Sequence, residues 1–411
     1  MTQEELQEVL RNGEGSGVEF KLDDVAPQDL AREIVAFANF RGGRILLGVD
    51  DSGCPRGIKR ERLEEWVMQV CRDKVRPEII PYYETVRLEG GASVAVVEIL
   101  PGLQVHHVWH NNHRYYYIRV GSTSREASPE ELQRLFQQRG QVRYDLKPVP
   151  GASLEHLDVR RLRNYFGDIR GQEVPPEERR EDWEKLLLNT EIMVRENGRT
   201  VPSVGGLLLF GESPQRFLPQ AGISAFAFPG KEKDYAVIEQ ATLRGPMVGL
   251  FGRDRKLIEP GLVEEALYFV RRNMRIVAYI DEGGRRVERP DYPLEAVREA
   301  VVNALVHRDY TVSGTDVELS LYEDRLEVIS PGRLPNTITV ERMRTGCRAT
   351  RNELIKEVMR DYGYIEHMGM GVPRKIIRGM REHNGTEPDL IEGEADFLVR
   401  LWKKSVEATH A

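Results

Sequence analysis

Cysteine is scarce in this sequence, and positive charge is not in excess. Its 411 residues include three cysteines, Cys54, Cys71 and Cys347, which are far apart. This spacing excludes a disulfide framework and a zinc knuckle, and it favours a reducing compartment such as the cytoplasm. Lys and Arg number 59 against 66 Asp and Glu, which gives a net charge of −7. A uniformly basic nucleic-acid coat is thereby excluded, so any phosphate-binding site must be a local cluster of cations.

Long apolar runs and phosphate loops are missing as well. No run reaches the roughly 20 apolar residues that a membrane helix needs, and the acidic start MTQEELQEVL is unlike a signal peptide. The pattern G-x-x-x-x-G-K-[ST] of nucleotide-driven motors does not occur. Hydrophobic residues make up 40% and charged residues 30% of the chain. We therefore expect a cytoplasmic protein of two or three domains without a membrane partner.

Residues 1–140 carry the alternating helix and strand signals of an α+β domain. Helices are predicted at MTQEELQEVL, PQDLAREIVAFANF and RLEEWVMQVCRDK. Strands are predicted at GVEFKL, RILLGVD and HRYYYIRVG, with a hairpin through Gly90-Gly91. Ser128, Pro129 and Glu131 form a capping box with proline at the first helical position, which predicts a helix start.

Carboxylates gather near the first two predicted strands. Glu19 and Lys21 alternate along one strand and so face the same way, with Glu14 just before it and Asp50-Asp51 after the next strand. Such carboxylates can hold Mg²⁺ or Mn²⁺, and the metal can activate water against a phosphodiester while the lysine steadies the charge. The alternative is a solvated strand edge beside an ordinary Asp-Gly turn.

Three segments of residues 10–138 together resemble the Schlafen AlbA-type domain. They are GEGSGVEFK, LAREIVAFANFRGGRILLGVDDSGCPRGI and YYYIRVGSTSREASPEEL, in the family's order. The resemblance implies a nucleic-acid-binding α+β domain, and in animal relatives a three-carboxylate site cleaves structured RNA such as tRNA. Glu14 and Glu19 match the two glutamates, and Asp51 or Asp50 matches the aspartate. The spacing from Glu19 to the aspartate is shorter than in the animal proteins, and many bacterial relatives are described only as DNA-binding regulators.

A second cluster in this domain offers cations and hydroxyls after a strand. Guanidinium groups, hydroxyls and backbone amides suit a nucleic-acid phosphate, and the alternative is that Arg119 pairs with a core carboxylate while the hydroxyls cap the next helix. The predicted nucleic-acid contacts are Arg41, Arg44, Arg119, Ser122, Thr123 and Arg125.

Beyond residue 140 we expect a linker at 141–157, a mixed segment at 158–290 and a last domain at 291–411. In the mixed segment, Gly205-Gly206 before LLLFG predicts a buried strand. The last domain begins with PLEAVREAVVNALVHRDY, a helix with one apolar stripe. Glu299, Asn303 and His307 fall opposite that stripe, four apart. A glutamate can act as general base and an asparagine oxygen can bind Mg²⁺, and the alternative is a plain surface or interface.

Residues 293–375 resemble the GHKL-like ATPase module found after AlbA-type domains in bacterial proteins labelled RecG-related helicases or transcriptional regulators. Glu299 and Asn303 match the N box, which implies that the glutamate primes the attacking water and the asparagine ligates Mg²⁺. Gly332, within Ile329–Pro335, lies where the adenine-binding box belongs, although the adenine-binding aspartate is absent. Gly369 and Gly371 match the later glycine turn near the phosphates. The implied cofactors are ATP and Mg²⁺ or Mn²⁺, in an α/β sandwich.

These patterns predict a nucleic-acid-binding regulator whose activity or assembly responds to ATP. Two alternatives remain open. One is a metal-dependent endoribonuclease acting on tRNA or other structured RNA, with Glu14, Glu19, Lys21 and Asp51 as catalytic residues. The other is a degenerate dimerisation scaffold. By family resemblance, the partners are RNA or DNA, a nucleotide, and further copies of this chain in a homodimer or higher homo-oligomer.

Overall fold

The chain folds into two compact units, Met1–Val142 and Arg143–Ala411. The computed structural model describes residues 1–139, 142–280, 284–334, 338–346, 350–366 and 369–404. Cys347, Pro335 and the predicted boundary at 140 lie outside these described residues. Helices and strands are mixed in both units, which confirms the predicted α+β class. Among the described residues, no helix is both long and apolar enough to cross a membrane.

The first unit contains four helices and nine strands in its described part. The helices are α1 Gln3–Asn12, α2 Pro27–Asn39, α3 Leu63–Lys74 and α4 Pro129–Gln138. The strands are β1 Val18–Lys21, β2 Gly43–Leu47, β3 Val75–Arg76, β4 Tyr82–Arg87, β5 Ser93–Ile99, β6 His107–His110, β7 His113–Tyr115, β8 Tyr117–Val120 and β9 Thr123–Glu126. The main sheet has the order β1-β2-β5-β4, with β1 parallel to β2. Helix α2 supplies the centre of the main core.

One predicted strand of this unit is wrong. The segment HRYYYIRVG, expected as a single strand, divides between β7, which pairs with β6, and β8, which pairs with β9. The β8–β9 hairpin turns at Gly121, whose φ is +60°. The predicted helix start is confirmed, because Ser128 accepts from the Glu131 amide and Glu131 accepts from the Ser128 amide.

The second unit is built around a larger mixed sheet. Its described helices are α5 Val159–Arg163, α6 Arg180–Asn189, α7 Val204–Phe210, α8 Leu262–Asn273, α9 Leu294–His307, α10 Val340–Thr345, α11 Glu353–Asp361 and α12 Gly379–Asn384, which continues the π-helical segment Gly371–Arg378. Short helical turns lie at Tyr144–Leu146, Leu154–His156, Asn164–Ile169 and Pro214–Arg216.

The strands of the second unit are β10 Met193–Glu196, β11 Arg199–Pro202, β12 Ile223–Ala227, β13 Glu239–Leu243, β14 Leu250–Phe251, β15 Leu257–Glu259, β16 Ile276–Ile280, β17 Arg286–Pro290, β18 Val317–Leu321, β19 Arg325–Pro331, β20 Asp389–Glu392 and β21 Asp396–Trp402. The main sheet has the order β13-β12-β18-β19-β21-β20. Helices α8 and α9 pack on it and share its core.

The predicted buried strand at LLLFG is a helix. Ser203 caps α7 by accepting from the Gly206 amide at 3.0 Å, and all seven residues of α7 are buried. A helix buried all round shows no 3.6-residue periodicity, so its apolar run looks like a strand in the sequence. Gly206 permits this packing, because a Cβ there would lie 2.1 Å from the Ile192 carbonyl oxygen.

The predicted linker 141–157 belongs to the second unit from Arg143 onwards. Asp145 is fully buried, and Val149 and Leu157 are part of the main core. Pro148 forms a bridge with Ser203. Prolines and glycines in this stretch therefore accommodate tight turns against the core.

Candidate functional site

The second unit contains a cavity of about 490 Å³ between α9, β19, α11 and the helical segment that begins at Gly371. Its volume is typical of a small-molecule site. Five residues that the sequence assigned to nucleotide and metal line it: Glu299, Asn303, Gly332, Gly369 and Gly371. The structure therefore brings together side chains and glycines from three separate segments of the chain.

Glu299 lies in this cavity on a helix that is buried on most sides. Its residue is 3% exposed, so the alternative of a plain surface face is wrong at this position. Oε1 accepts a hydrogen bond from Asn303 Nδ2 at 3.0 Å, and Lys375 Nζ lies 3.7 Å from Oε2. Oε2 accepts no hydrogen bond from any described residue. Burial raises the pKa of Glu299 although Lys375 and Asn303 act in the opposite direction, so this carboxylate is suited to take a proton from water.

Gly371 brings the start of a helix directly against that carboxylate. A Cβ at Gly371 would lie 1.8 Å from Glu299 Oε1, so the carboxylate keeps its present position only with glycine here. The helical segment Gly371–Arg378 continues into α12. The first amides of a helix lack intrahelical partners and attract anions. Gly369, with φ of +68°, precedes this helix start and also lines the cavity.

Gly332 holds another wall of the cavity in place. Its φ is +106°, and a Cβ there would lie 2.4 Å from Asp309 Cβ. The neighbouring Ser330 hydroxyl donates to the Ala304 carbonyl at 2.8 Å, which joins β19 to α9. This Ser-Pro-Gly turn therefore presents a hydroxyl and backbone to the cavity, where the resembled family has a carboxylate.

His307 continues the column of Glu299 and Asn303 along the cavity wall. Burial lowers the pKa of His307 to about 4, so the imidazole is neutral near pH 7. Its Nδ1 bonds to no described residue. Arg351 donates to the His307 carbonyl at 2.9 Å and to the Arg333 carbonyl at 2.7 Å, which fixes the end of α9 against the cavity.

Several polar residues that line the cavity escaped the sequence analysis. Glu353, Lys356 and Arg360 project from α11, and their helical spacing in NELIKEVMRD is the signal that could have identified one polar face. The hydroxyl of Thr350 also lines the cavity and bonds to no described residue.

In the first unit, Glu19 lies in a buried ionic network. Its residue is 6% exposed, and Arg119 Nη1 lies 2.6 Å from Glu19 Oε2 and 3.2 Å from Glu33 Oε2. Lys21 also pairs with Glu19, as their shared strand face predicted. Glu14 is exposed, and its Oε1 accepts from the Phe20 amide at 2.8 Å.

The aspartates of the predicted metal site are used differently. Asp50 accepts from the Ser52 hydroxyl at 2.6 Å, the Cys54 amide at 2.9 Å and Arg56 Nε at 2.7 Å. These bonds hold the pKa of Asp50 well below its usual value. Asp51 is exposed in the same turn.

The predicted carboxylate set, Glu14, Glu19, Asp50 and Asp51, does not assemble into a metal site. Across the residues that the structure describes, no three His, Cys, Asp or Glu side chains are placed to hold a metal ion. The physical reason is that arginine and lysine already neutralise Glu19, while Asp50 closes its own turn.

The predicted phosphate-binding residues are divided between the interior and the surface. The Arg119 side chain is fully buried, so the structure has the core-carboxylate pairing that was the alternative. Arg125 pairs with both carboxylate oxygens of Glu131, at 2.8 and 2.6 Å. Arg41, Ser122 and Thr123 are exposed. Arg44 Nη2 lies 3.4 Å from Glu98 Oε1, so this cation is paired with a carboxylate.

Two family models match separate parts of the chain. Residues 14–128 match the model described as "Schlafen, AlbA_2". Residues 314–401 match the model described as "Putative ATP-dependent DNA helicase recG C-terminal". The second match includes Gly332, Gly369 and Gly371 and begins after α9. No curated protein matches the chain.

Solved structures are similar at low identity. The DIP2311 protein from Corynebacterium diphtheriae is 21% identical, with a TM-score of 0.45, over 95% of this chain and 75% of that one. The N-terminal domain of a "Putative ATP-dependent DNA Helicase RecG-related Protein" from Nitrosomonas europaea is also 21% identical. Its TM-score is 0.25, over 31% of this chain and 94% of that one.

Proposed function

We propose that this chain, which carries an AlbA_2 domain and an ATPase-like domain, binds nucleic acid through its first unit under the control of a nucleotide held in its second. The observation that carries the proposal is the cavity, where the predicted nucleotide-binding residues meet a buried carboxylate oxygen that bonds to no described residue. Because an unpartnered buried oxygen is costly, we infer that a ligand or its water satisfies it.

The polar groups of the cavity fit a nucleotide with its magnesium ion. The amides at Gly371 receive phosphate oxygens, because a helix start favours negative charge. Asn303 donates through its nitrogen to Glu299, which leaves its carbonyl oxygen to hold Mg²⁺. The metal, when bound, neutralises phosphate charge. Glu299, whose pKa is raised by burial, takes the proton of the attacking water as the water oxygen bonds to the terminal phosphorus and the bond from that phosphorus to ADP breaks. The turn at Ser330 lacks a carboxylate, so we propose ATP without expecting strict selection of adenine.

The nucleic-acid surface belongs to the first unit. The match to AlbA_2 supports it, and Arg41 provides an exposed cation. Because the whole chain is acidic, with a net charge of −7, we expect a local contact whose affinity falls as salt rises.

The test separates nucleotide binding from nucleotide hydrolysis. ATP binding is measured by calorimetry with Mg²⁺ and with EDTA, and phosphate release is measured in parallel. Glu299→Gln should keep binding and lose hydrolysis, whereas Asn303→Ala should lose the magnesium dependence of binding. Glu295→Gln changes an exposed glutamate on the same helix and serves as the control. If the wild-type chain binds no nucleotide, ATP control is refuted.

Binding to duplex DNA and to tRNA is measured by fluorescence anisotropy with and without ATP. An affinity that changes with ATP supports the proposed control. Metal-dependent cleavage of tRNA that is lost in Glu19→Gln would support the endoribonuclease alternative instead. Absence of both ligands together with a stable oligomer in size-exclusion chromatography would support the dimerisation scaffold.

A further inference from the structure

We propose that Asp145 couples the nucleotide cavity to the segment through which the chain enters the second unit, so that this contact carries nucleotide control toward the first unit. The inference rests on the proposed function and concerns the regulation of the same cavity. The segment is the helical turn Tyr144–Leu146, together with Arg143, the first residue of the second unit.

Asp145 caps helix α11 from a distant part of the sequence. Its side chain is fully buried, and its Oδ2 accepts a hydrogen bond from the Leu354 amide at 2.6 Å, across 209 positions. The residue just before α11, Asn352, does not cap the helix. Its Nδ2 donates to the carbonyls of Val306 and Arg308, and its Oδ1 accepts from no described residue. Asp145 thus performs the capping that a residue next to the helix usually provides.

The helix that Asp145 caps is a wall of the nucleotide cavity. Glu353, Lys356 and Arg360 of α11 line the cavity. Leu354, between two of them, receives the cap and lies in the core. A nucleotide that contacts the polar face of α11 therefore acts on a helix whose first turn is bonded to Asp145. A helix moves largely as one body, so α11 can shift only if Asp145 moves with it or its cap is broken.

The packing around the segment makes a gradual adjustment costly. A Cβ at Gly205 would lie 3.0 Å from Leu354 Cδ2 and 3.1 Å from the Asp145 carbonyl oxygen, so α7 leaves little space beside the contact. Arg143 Nη1 donates to Glu191 Oε2 at 2.9 Å, and this bond holds the other end of the segment. Close-packed contacts of this kind change between discrete arrangements rather than continuously.

The surroundings of the Asp145 carboxylate stabilise its charge poorly, and a small movement could improve them. The Oδ1 of Asp145 bonds to no described residue, and the cation that pairs with this carboxylate among the described residues is Arg143, whose Nη2 lies 3.5 Å from Oδ2. A buried carboxylate with one oxygen unsatisfied is costly to keep. The hydrogen bond to the Leu354 amide favours the present position of Asp145, and the burial of its charge disfavours it. Such a contact suits an element whose arrangement a ligand can shift.

The experiment measures coupling rather than binding alone. Dissociation constants for a duplex DNA and for a tRNA are determined with and without ATP in the wild-type chain and in Asp145→Ala, and ATP affinity is measured separately. We expect ATP to change nucleic-acid affinity by about fivefold or more in the wild type and by less than about twofold in Asp145→Ala. ATP affinity itself should change by less than about threefold. Asp145→Asn, which can still accept from the Leu354 amide, should restore the coupling.

The matched control is Asp158→Ala. Asp158 is also buried and caps helix α5 by accepting from the Arg160 and Arg161 amides, but it lies outside the cavity lining. Loss of coupling in both variants would mean that general destabilisation is responsible and would overturn the proposal. Wild-type coupling in Asp145→Ala would overturn it as well. Absence of any ATP effect in the wild type would instead refute the proposed function.

A second measurement does not depend on a variant that folds. Amide hydrogen exchange of the wild-type chain is compared with and without a non-hydrolysable ATP analogue. Coupling predicts that the analogue changes exchange both in α11 and in residues 143–147, while α5 is unaffected. A change in α11 without any change in residues 143–147 would contradict the proposal.

Discussion

Burial determines the chemistry of single residues in both units. Glu299 and Arg119 both occur in polar patterns that suggested function, yet each side chain is enclosed by the fold. The difference between them lies in their partners. Arg119 is surrounded by carboxylates and carbonyls, whereas Glu299 keeps one oxygen that no described residue satisfies. The Nε of Arg119 also bonds to no described residue, but Arg119 does not line the cavity. The unpartnered oxygen of Glu299 faces the cavity and is therefore available for a ligand.

The buried Glu299 should reduce the stability of the fold as pH rises. Because burial raises its pKa above the usual 4.5, the unfolded chain releases this proton at a lower pH than the folded chain does. Stability from this group is complete below pH 4.5 and is lost as pH rises through the folded pKa. We expect Glu299→Gln to gain stability relative to the wild type between pH 4 and pH 8, because glutamine carries no charge that burial penalises.

Urea unfolding at both pH values measures this gain. Glu295→Gln, an exposed change on the same helix, should show no comparable gain. An equal difference between Glu299→Gln and the wild type at pH 4 and pH 8 would contradict the prediction.

Arg119 should stabilise the first unit rather than bind phosphate. Arg119→Met leaves Glu19 and Glu33 buried without this guanidinium, and breaking a buried pair costs about 3 kcal/mol or more. Arg41→Ala removes an exposed cation and should weaken nucleic-acid binding without changing the unfolding free energy. Chemical denaturation measures the unfolding free energy of both variants, and anisotropy titrations measure their nucleic-acid affinity. A stable Arg119→Met variant with weakened binding would return Arg119 to the phosphate-binding role.

At the scale of elements, the helix that begins at Gly371 should tolerate alanine at Gly379 but lose nucleotide affinity with alanine at Gly371. Gly371→Ala places a Cβ 1.8 Å from where Glu299 Oε1 now lies, so either the carboxylate or the helix start must shift. Nucleotide affinity should fall by about tenfold or more, roughly the effect of 1.4 kcal/mol. Gly379→Ala adds a Cβ whose nearest neighbour is 3.9 Å away, in a helical conformation that alanine favours. Calorimetric titration with ATP should show a loss in the first variant alone. Equal affinities would contradict this account of the cavity.

Elements with one apolar face were predictable from the sequence, and elements without one were not. Helix α3 buries Leu63, Val67, Val70 and Cys71, which is the apolar repeat of a helix packed on one side, and it was predicted correctly. Helix α7 is buried all round, and its sequence therefore favours a strand. The short strands β8 and β9 depend on a turn and a pairing that the hydrophobic periodicity of the sequence does not indicate.

At the scale of the whole molecule, the described residues form two hydrophobic clusters in the first unit and one in the second, and because none of the three spans both units, we predict that the units fold independently. The core residues of the second unit begin at Val149, and those of the first unit end at Val108. We expect residues 1–142 and 143–411, produced separately, each to unfold cooperatively in circular dichroism. The first fragment should bind nucleic acid without any response to ATP. An unfolded first fragment would contradict independent folding. A first fragment that still responds to ATP would contradict the assignment of ATP binding to the second unit.

The sequence by itself determined the α+β class, the helix cap at Ser128 and some of the residues around the cavity, among them Glu299, Asn303 and Gly371. These depend on interactions within a few positions, or on motifs that a family repeats. Only the tertiary structure decided which charges are neutralised within the fold, because a charge is paired by whatever side chain packs against it. Thus Arg119 pairs with Glu19, and Asp145 caps α11 across 209 positions. Periodicity fixes which face of an element is apolar, but long-range packing decides what that face meets.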